Sequence, residues 1–313
     1  MESLKPKIAI IGAGNVGSTF AFSLMISGLA REIVLIDKNE LLAKGECMDL
    51  NHGLSLTQPT KIYAAGFEGC KEADIVVITA GANRKPGESR TDLAQNNMAI
   101  FKDIIPAISK YASSAILLVV SNPADILTYI TLKLSGLPSN RVIGSGTVLD
   151  TARLKYVISE YCNVNPNNIH AYIIGEHGNT ELPVWSNATI AGMDMEMYFS
   201  VYAGFGNAKK EMSEIFEKVK KSAHQIIEAK GATCYSIALA MLKITRSIIK
   251  NENSILPVST LITDYYGISD ACLSIPSIVN NNGVEQYLKL ELSALEQEQF
   301  KHSANTLKEI INL

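Results

Sequence analysis

The first half of the chain alternates short, unbroken apolar runs with longer amphipathic stretches. "KIAII" (7–11) precedes a helical stretch from Val16 to Ser27, and "EIVLID" (32–37) precedes "ELLAKGECMDLNHG", where Leu42, Cys47 and Leu50 are placed on one helical face. "KIYAA" (61–65), "ADIVVITAG" (73–81) and "AILLVVSNP" (115–123) continue the series, with a helix from Thr91 to Tyr111 between the last two. A strand that is apolar at every position must be covered on both faces, as in a parallel sheet flanked by helices. Length excludes buried helix segments, because each run ends within about six residues at Gly, Asp or Asn-Pro.

After "RVIGSGTVLDTARLKYVISEY" the texture changes. Long helical stretches cover 209–229, 233–250 and 294–311, with mixed strands between them. The expected class is α/β: a Rossmann-type doubly wound parallel sheet over residues 1–145, then a mixed α+β substrate domain over 146–313. No Pro/Ser-rich spacer marks the boundary, so it is a change of architecture and not a flexible linker.

Composition narrows the function. With 313 residues, 47% hydrophobic and 19% charged, the chain can bury a large core. A formal net charge of −3 argues against a nucleic-acid partner. No apolar run approaches the roughly 18–20 residues that cross a bilayer. The opening "MESLKPKIAIIGAGNVG" has lysines before apolar residues, but glycines end the apolar part and no small-residue cleavage site follows, so a cytoplasmic protein is expected. Cys47, Cys70, Cys162, Cys234 and Cys272 are scattered without CxxC spacing, which fits reduced thiols better than a disulfide frame or a metal site.

Gly12-x-Gly14-x-x-Gly17 follows a predicted strand and opens a predicted helix. Gly12 would permit the tight turn, Gly14 the approach of backbone to a pyrophosphate, and Gly17 close packing of helix on strand. Asp37 ends the next strand, 20 residues after Gly17. A carboxylate there accepts from ribose hydroxyls and repels a 2′-phosphate, which favours NAD over NADP.

Of five histidines, His177 alone sits between glycines directly after an apolar run, in "YIIGEHGNTELPVWS" (172–186). Asp150 and Arg153 in "VLDTARLKY" lie one turn apart on a predicted helix. An acid near His177 could fix its tautomer, and an arginine could clamp a carboxylate. On spacing alone, Asp150 and Arg153 read equally well as a charge pair on a solvated helix.

Taken together, "GAGNVG", "VVSNPADILTY", "IGSGTVLDTAR" and "IIGEHGNTELPVWS" make the chain resemble the lactate/malate dehydrogenase family over almost its whole length. The resemblance implies hydride transfer between NAD(H) and a small L-2-hydroxy acid or 2-oxo acid. By the same match His177 would pass the proton to or from the substrate oxygen, Asp150 would orient and charge-balance it, and Arg153 would bind the substrate carboxylate. Asn122 would lie near the nicotinamide and the substrate oxygen. Asn15 and Val16 beside the glycines, together with Thr79, Ala80, Gly81 and Asn97, would complete the cofactor groove. The cation-rich "TAGANRKPGESRTDLAQNN" (79–97) resembles a lid that brings Arg90 onto the substrate carbonyl. Without the resemblance, those cations read as a solvated surface loop.

The resemblance also bears on substrate. Arg84 occupies a slot where lactate dehydrogenases mostly carry glutamine and malate dehydrogenases carry arginine, and a second substrate carboxylate needs a cation. Asn179 stands where typical lactate enzymes have Asp. At about 6 Å and an effective dielectric near 20, removing that charge relieves ~2–3 kcal/mol of repulsion toward a dicarboxylate. "DILTY", "GSGTVLDTAR" and Thr233 in "GATCY", a substrate-pocket position, look like the lactate branch. The expected pair is L-malate/oxaloacetate; the alternative is L-lactate/pyruvate.

Lys155 and His170 occupy the places through which bacterial lactate dehydrogenases bind a sugar bisphosphate. Lysine lacks the planar fork of arginine, so strong activation is not expected. A homo-oligomer, dimer or tetramer, is implied, and the short segment before the first strand offers no arm to exchange. Two rival readings are weaker. An NAD-dependent glycosidase needs a longer chain and a metal-binding Cys/His pair, and Cys47 and His52 are poorly matched for one helical face. A non-catalytic NAD-binding sensor predicts decay of the proton-transfer set, yet His177, Asp150, Arg153 and Arg90 are all present.

Overall fold

The apolar runs become parallel strands β1 (Lys7–Ile11), β2 (Glu32–Ile36), β3 (Lys61–Ala64), β4 (Ile75–Ile78), β5 (Ile116–Val119) and β6 (Val142–Gly144). Helices α1 (Asn15–Ser27), α2 (Glu40–His52), α3 (Arg90–Ser109) and α4 (Ala124–Ser135) lie between them in sequence. This computed structural model describes residues 6–82, 87, 90–204 and 206–311, the Arg90 and Ile311 side chains excepted. The strands stand in the order β3-β2-β1-β4-β5-β6, and β1 pairs in parallel with both β2 and β4. The chain order reverses beside β1, so a crevice opens at the C-terminal ends of β1 and β4.

Why these strands read as continuous apolar runs follows from their two faces. Ile8 and Ile10 point to one side with Phe20 and Leu24 of α1, while Ala9 and Ile11 point to the other with Phe101 and Ile105 of α3. Every residue of β1 is buried. Each large aliphatic side chain so removed from water contributes about 1.5–3 kcal/mol. In α2 the inward positions are Ala43, Cys47 and Leu50, whereas Leu42 is exposed, contrary to the sequence expectation. Positions 43, 47 and 50 follow the i, i+4, i+7 helical stripe, and 42 falls a full residue off it.

Beyond β6 come α5 (Val148–Cys162), the short strands β7 (Ile169–His170), β8 (Ile173–Ile174), β9 (Leu182–Pro183), β10 (Thr189–Ile190) and β11 (Met193–Asp194), and α6 (Met195–Val201), α7 (Ala208–Lys230) and α8 (Tyr235–Ile249). Long antiparallel strands β12 (Ser254–Ile262), β13 (Ala271–Asn280) and β14 (Gly283–Tyr287) precede the last helix, α9 (Ala294–Ile311). The mixed second half is as expected, but its long strands extend the first sheet: β12 pairs with β6 at Ser259 and Gly144. Among the described residues, nine strands thus form one sheet, and α9 packs Phe300 and Leu307 beneath β13. Among the described residues, no helix is long and apolar enough to cross a membrane.

Candidate active site

At the crevice, Gly12 has φ +105°, and a Cβ there would stand 2.7 Å from the Ala80 nitrogen. A Cβ on Gly17 would stand 1.9 Å from the Gly12 carbonyl oxygen, so helix and turn touch backbone to backbone. Gly14 is different: a Cβ would meet nothing within 4 Å, because this side of the turn faces the open crevice. α1 starts there with no side-chain cap and no acid in its first turn. Its leading N–H groups are therefore open to an anion, as a dinucleotide pyrophosphate requires.

Asp37 follows β2 and accepts from Ala13 N–H at 2.7 Å and Asn39 N–H at 2.8 Å. Each oxygen keeps further acceptor capacity for a ribose hydroxyl. Thr79 donates its hydroxyl toward the Gly12 carbonyl (2.9 Å), and Ser121 donates to the Ala80 carbonyl (2.6 Å). Asn15 is exposed beside Gly14, Val16 is half-buried, and Gly81 is exposed at the crevice wall. Asn97 departs from its expected place as a groove residue. It is 1% exposed, and its amide accepts from Ala82 N–H (2.7 Å) and donates to the Asn122 carbonyl (2.7 Å). It braces the wall from behind. These groups fit an NAD molecule in shape and polarity.

The second cluster lies where α5 meets the loop after β8. His177 Nδ1 donates to Asp150 Oδ2 at 2.6 Å, and Arg153 Nη1 donates to Asp150 Oδ1 at 2.8 Å. The side chains of His177, Arg153 and Asp150 are 25%, 12% and 4% exposed. With Nδ1 committed to Asp150, Nε2 is the ring atom left for a substrate. The negative charge of Asp150 outweighs the effect of burial and lifts His177 to about 9. Burial alone would raise Asp150, but the charges of His177 and Arg153 and the bonds they donate hold its carboxyl below the usual range.

Two threonines, Thr147 at the N-cap of α5 and Thr151 within it, align the cluster. Thr147 donates to the Ile173 carbonyl at 2.5 Å, and Thr151 accepts from Ile173 N–H at 2.9 Å, stitching α5 to β8. From α4, buried Asp125 accepts from His177 N–H at 2.7 Å and from the Ser274 hydroxyl at 3.3 Å. Burial pushes Asp125 up to about 6. Glu181 is 8% exposed, and its carboxyl lies with Asp150 and His177 in a group whose polar atoms are within 4.8 Å of one another. Burial and then the Asp150 charge push it up to about 8.

His177, Asp150 and Arg153 are therefore brought together, and the solvated-pair reading of Asp150 and Arg153 is excluded by their burial. Asn122 is exposed at the end of β5, ahead of a cis peptide to Pro123. Asn179 is exposed beyond His177, and Thr233 is half-buried before α8. Lys155 is half-buried on α5, where burial lowers its ammonium pKa, and His170 is exposed on β7. Arg84 and the Arg90 side chain lie outside the described residues. Asp125 and Glu181 escaped the sequence reading. Their one signal was an acid within an otherwise apolar stretch, "PADIL" and "TELPVW".

Comparison with known proteins converges. Residues 6–144 match the family described as lactate/malate dehydrogenase, NAD binding domain, and residues 147–313 match lactate/malate dehydrogenase, alpha/beta C-terminal domain. An L-lactate dehydrogenase of Acetivibrio thermocellus is 53% identical over 307 residues, covering 97% of this chain and 96% of that protein. An L-lactate dehydrogenase of Priestia megaterium is 48% identical over 303 residues, covering 97% and 95%. Among solved structures, a lactate dehydrogenase from a Medee basin deep-sea metagenome library superposes with a TM-score of 0.95 at 40% identity, covering 99% of each chain.

Proposed function

This chain belongs to the lactate/malate dehydrogenase family, and from that premise we propose that it is an L-lactate dehydrogenase interconverting pyruvate and L-lactate. The chain is an NAD-dependent 2-hydroxy acid dehydrogenase in either case. Arg153, hydrogen-bonded into the described His177–Asp150 cluster, is the guanidinium placed to meet the carboxylate that pyruvate and oxaloacetate share. It matches one substrate carboxylate, and one N–H bonded to Asp150 leaves the remaining donors for that group. The observation that carries the pyruvate reading is the 48–53% identity, over 95% or more of each chain, to proteins that are L-lactate dehydrogenases.

When bound, NAD supplies the acceptor or donor of the hydride. His177 handles the proton through Nε2, giving it to the carbonyl oxygen in reduction and taking it back in oxidation. Asp150 holds the ring in the required tautomer and stabilises its charged form. Arg153 orients the substrate by its carboxylate, and Arg90 is assigned to carbonyl polarisation. Asn122 and Thr233 border the substrate on this reading.

The second reading is L-malate and oxaloacetate, the pair expected from the sequence. Arg84 and Asn179 favour it, because they would add a cation and remove an anion where a second carboxylate would sit. The test is NADH oxidation with pyruvate and oxaloacetate at equal concentration, compared as kcat/KM. A clear preference for pyruvate supports the proposal. A preference for oxaloacetate that Arg84→Gln abolishes, while pyruvate reduction is spared, replaces it with the second reading. Activity with neither returns the NAD-binding sensor.

A homo-oligomer of two or four chains is supported by exposed apolar side chains on α1, α2 and α8, among them Phe22, Ile26, Met48 and Leu239. A division into an NAD-binding domain and a substrate domain near residue 145 is supported by the limits of the two family matches. A cytoplasmic setting is supported by five free cysteines, four of them buried.

A further inference from the structure

We propose that Ser303, on the C-terminal helix α9, is a positioning residue for proton transfer, fixing the backbone of the loop that carries His177. The proposal rests on the reading of His177 as the proton-transfer group. Ser303 is 0% exposed, and its helix neighbours Phe300, Ala304 and Leu307 belong to an apolar cluster. A hydroxyl in such a place is unfavourable unless it is hydrogen-bonded. Its Oγ accepts from Glu176 N–H at 2.7 Å and lies 3.2 Å from the Thr180 hydroxyl. Thr180 in turn donates to the Glu176 carboxylate, which is itself buried. A Cβ on Gly175 would stand 2.8 Å from Ser303 Oγ, so helix and loop are already in close contact.

Three consecutive N–H groups of this loop are held by three different elements. Gly175 donates to the Ser274 carbonyl of β13 (2.9 Å), Glu176 to Ser303 of α9, and His177 to Asp125 of α4. The first bond is backbone to backbone and survives any side-chain exchange. The third is held by a carboxylate. Ser303 supplies the middle one from 127 residues away. Without it, Glu176 N–H is buried with its acceptor gone, and the peptide leading into His177 is free to turn. The ring must stay 2.6 Å from Asp150, so a small turn of that peptide is felt at Nδ1.

The test compares wild type, Ser303→Ala, Thr180→Val, Thr180→Ser and His177→Asn as full-length proteins. Ser303→Ala should lower kcat roughly ten- to hundredfold, leave NADH affinity unchanged, and move the upper limb of the pH–rate profile below about 9. Among the described residues, the charged groups around His177 are Asp150 and, through it, Arg153 from α5, Asp125 from α4 and Glu181 from its own loop, with Glu176 next to it in the chain. None of them is altered in Ser303→Ala, so a moved limb reports displacement of the ring. Thr180→Val should shift kcat and the limb in the same direction by less, and Thr180→Ser should restore both. Wild-type kcat and an unmoved limb in Ser303→Ala, whatever its melting temperature, overturn the proposal. If Ser303→Ala does not fold, wild-type kcat and an unmoved limb in Thr180→Val overturn it instead. His177→Asn separates the two levels. Its full activity would remove the reading of His177 itself, whereas its inactivity beside a normal Ser303→Ala removes only the role of Ser303.

Discussion

Around Gly12–Gly17 the chain works by leaving side chains out, whereas around His177 it works by burying charged ones. In the first region helix and turn meet through atoms that a single methyl would displace, and the groups left open at the crevice are backbone N–H donors. In the second, an imidazole, a carboxylate and a guanidinium share hydrogen bonds of 2.6 and 2.8 Å at low exposure. A site made of backbone is governed by shape and is indifferent to pH. A site made of buried ionisable groups is governed by protonation.

Substitutions should expose that contrast. The largest effect belongs to His177→Asn, which keeps a polar side chain but cannot shuttle a proton. Its kcat should fall about 10²–10⁴-fold with NADH affinity intact, measured by steady-state kinetics and fluorescence titration. Next comes the pair Gly17→Ala and Gly14→Ala. The first forces a methyl against the Gly12 carbonyl and should destabilise the fold by about 1–3 kcal/mol. The second should leave the melting temperature unchanged yet weaken NADH roughly tenfold, since its methyl enters the space of the pyrophosphate. Equal melting temperatures for both would break the distinction between the inner and outer glycines. The smallest effect is Asp37→Asn, which sets an amide NH₂ against the N–H of Ala13 or Asn39. The preference for NADH over NADPH should drop by about tenfold or less, with a slight fall in melting temperature.

The same contrast governs what the sequence discloses. The glycine turn and Asp37 lie within one strand–helix–strand unit, so local spacing reveals them, and the strands show themselves because both of their faces are buried. His177 is marked by its flanking glycines, and Asp150 and Arg153 by their one-turn spacing. Asp125 and Ser303 contact the His177 loop from 52 and 127 residues away, and no local pattern encodes such pairings. Asn97 is of the same kind: its amide meets backbone at Ala82 and Asn122, which puts it behind the groove and not in it. β13 is buried at nearly every position, so its pattern cannot say which sheet it joins, and it joins the parallel one. Arg84, the residue from which the sequence reading argued for a dicarboxylate, lies outside the described residues.

The most direct measurement is the pH dependence of NADH-driven 2-oxo acid reduction in wild type and Asp150→Asn. On the proposed mechanism reduction needs His177 protonated, and its raised pKa means that the proton is held through neutrality and lost as pH rises through about 9. The wild-type rate should therefore be level across neutral pH and fall near 9, while in Asp150→Asn the fall should move toward the ordinary imidazole value of 6.5. A fall that stays near 9 without the Asp150 carboxylate would contradict the assignment of His177 and Asp150 as the proton-transfer pair.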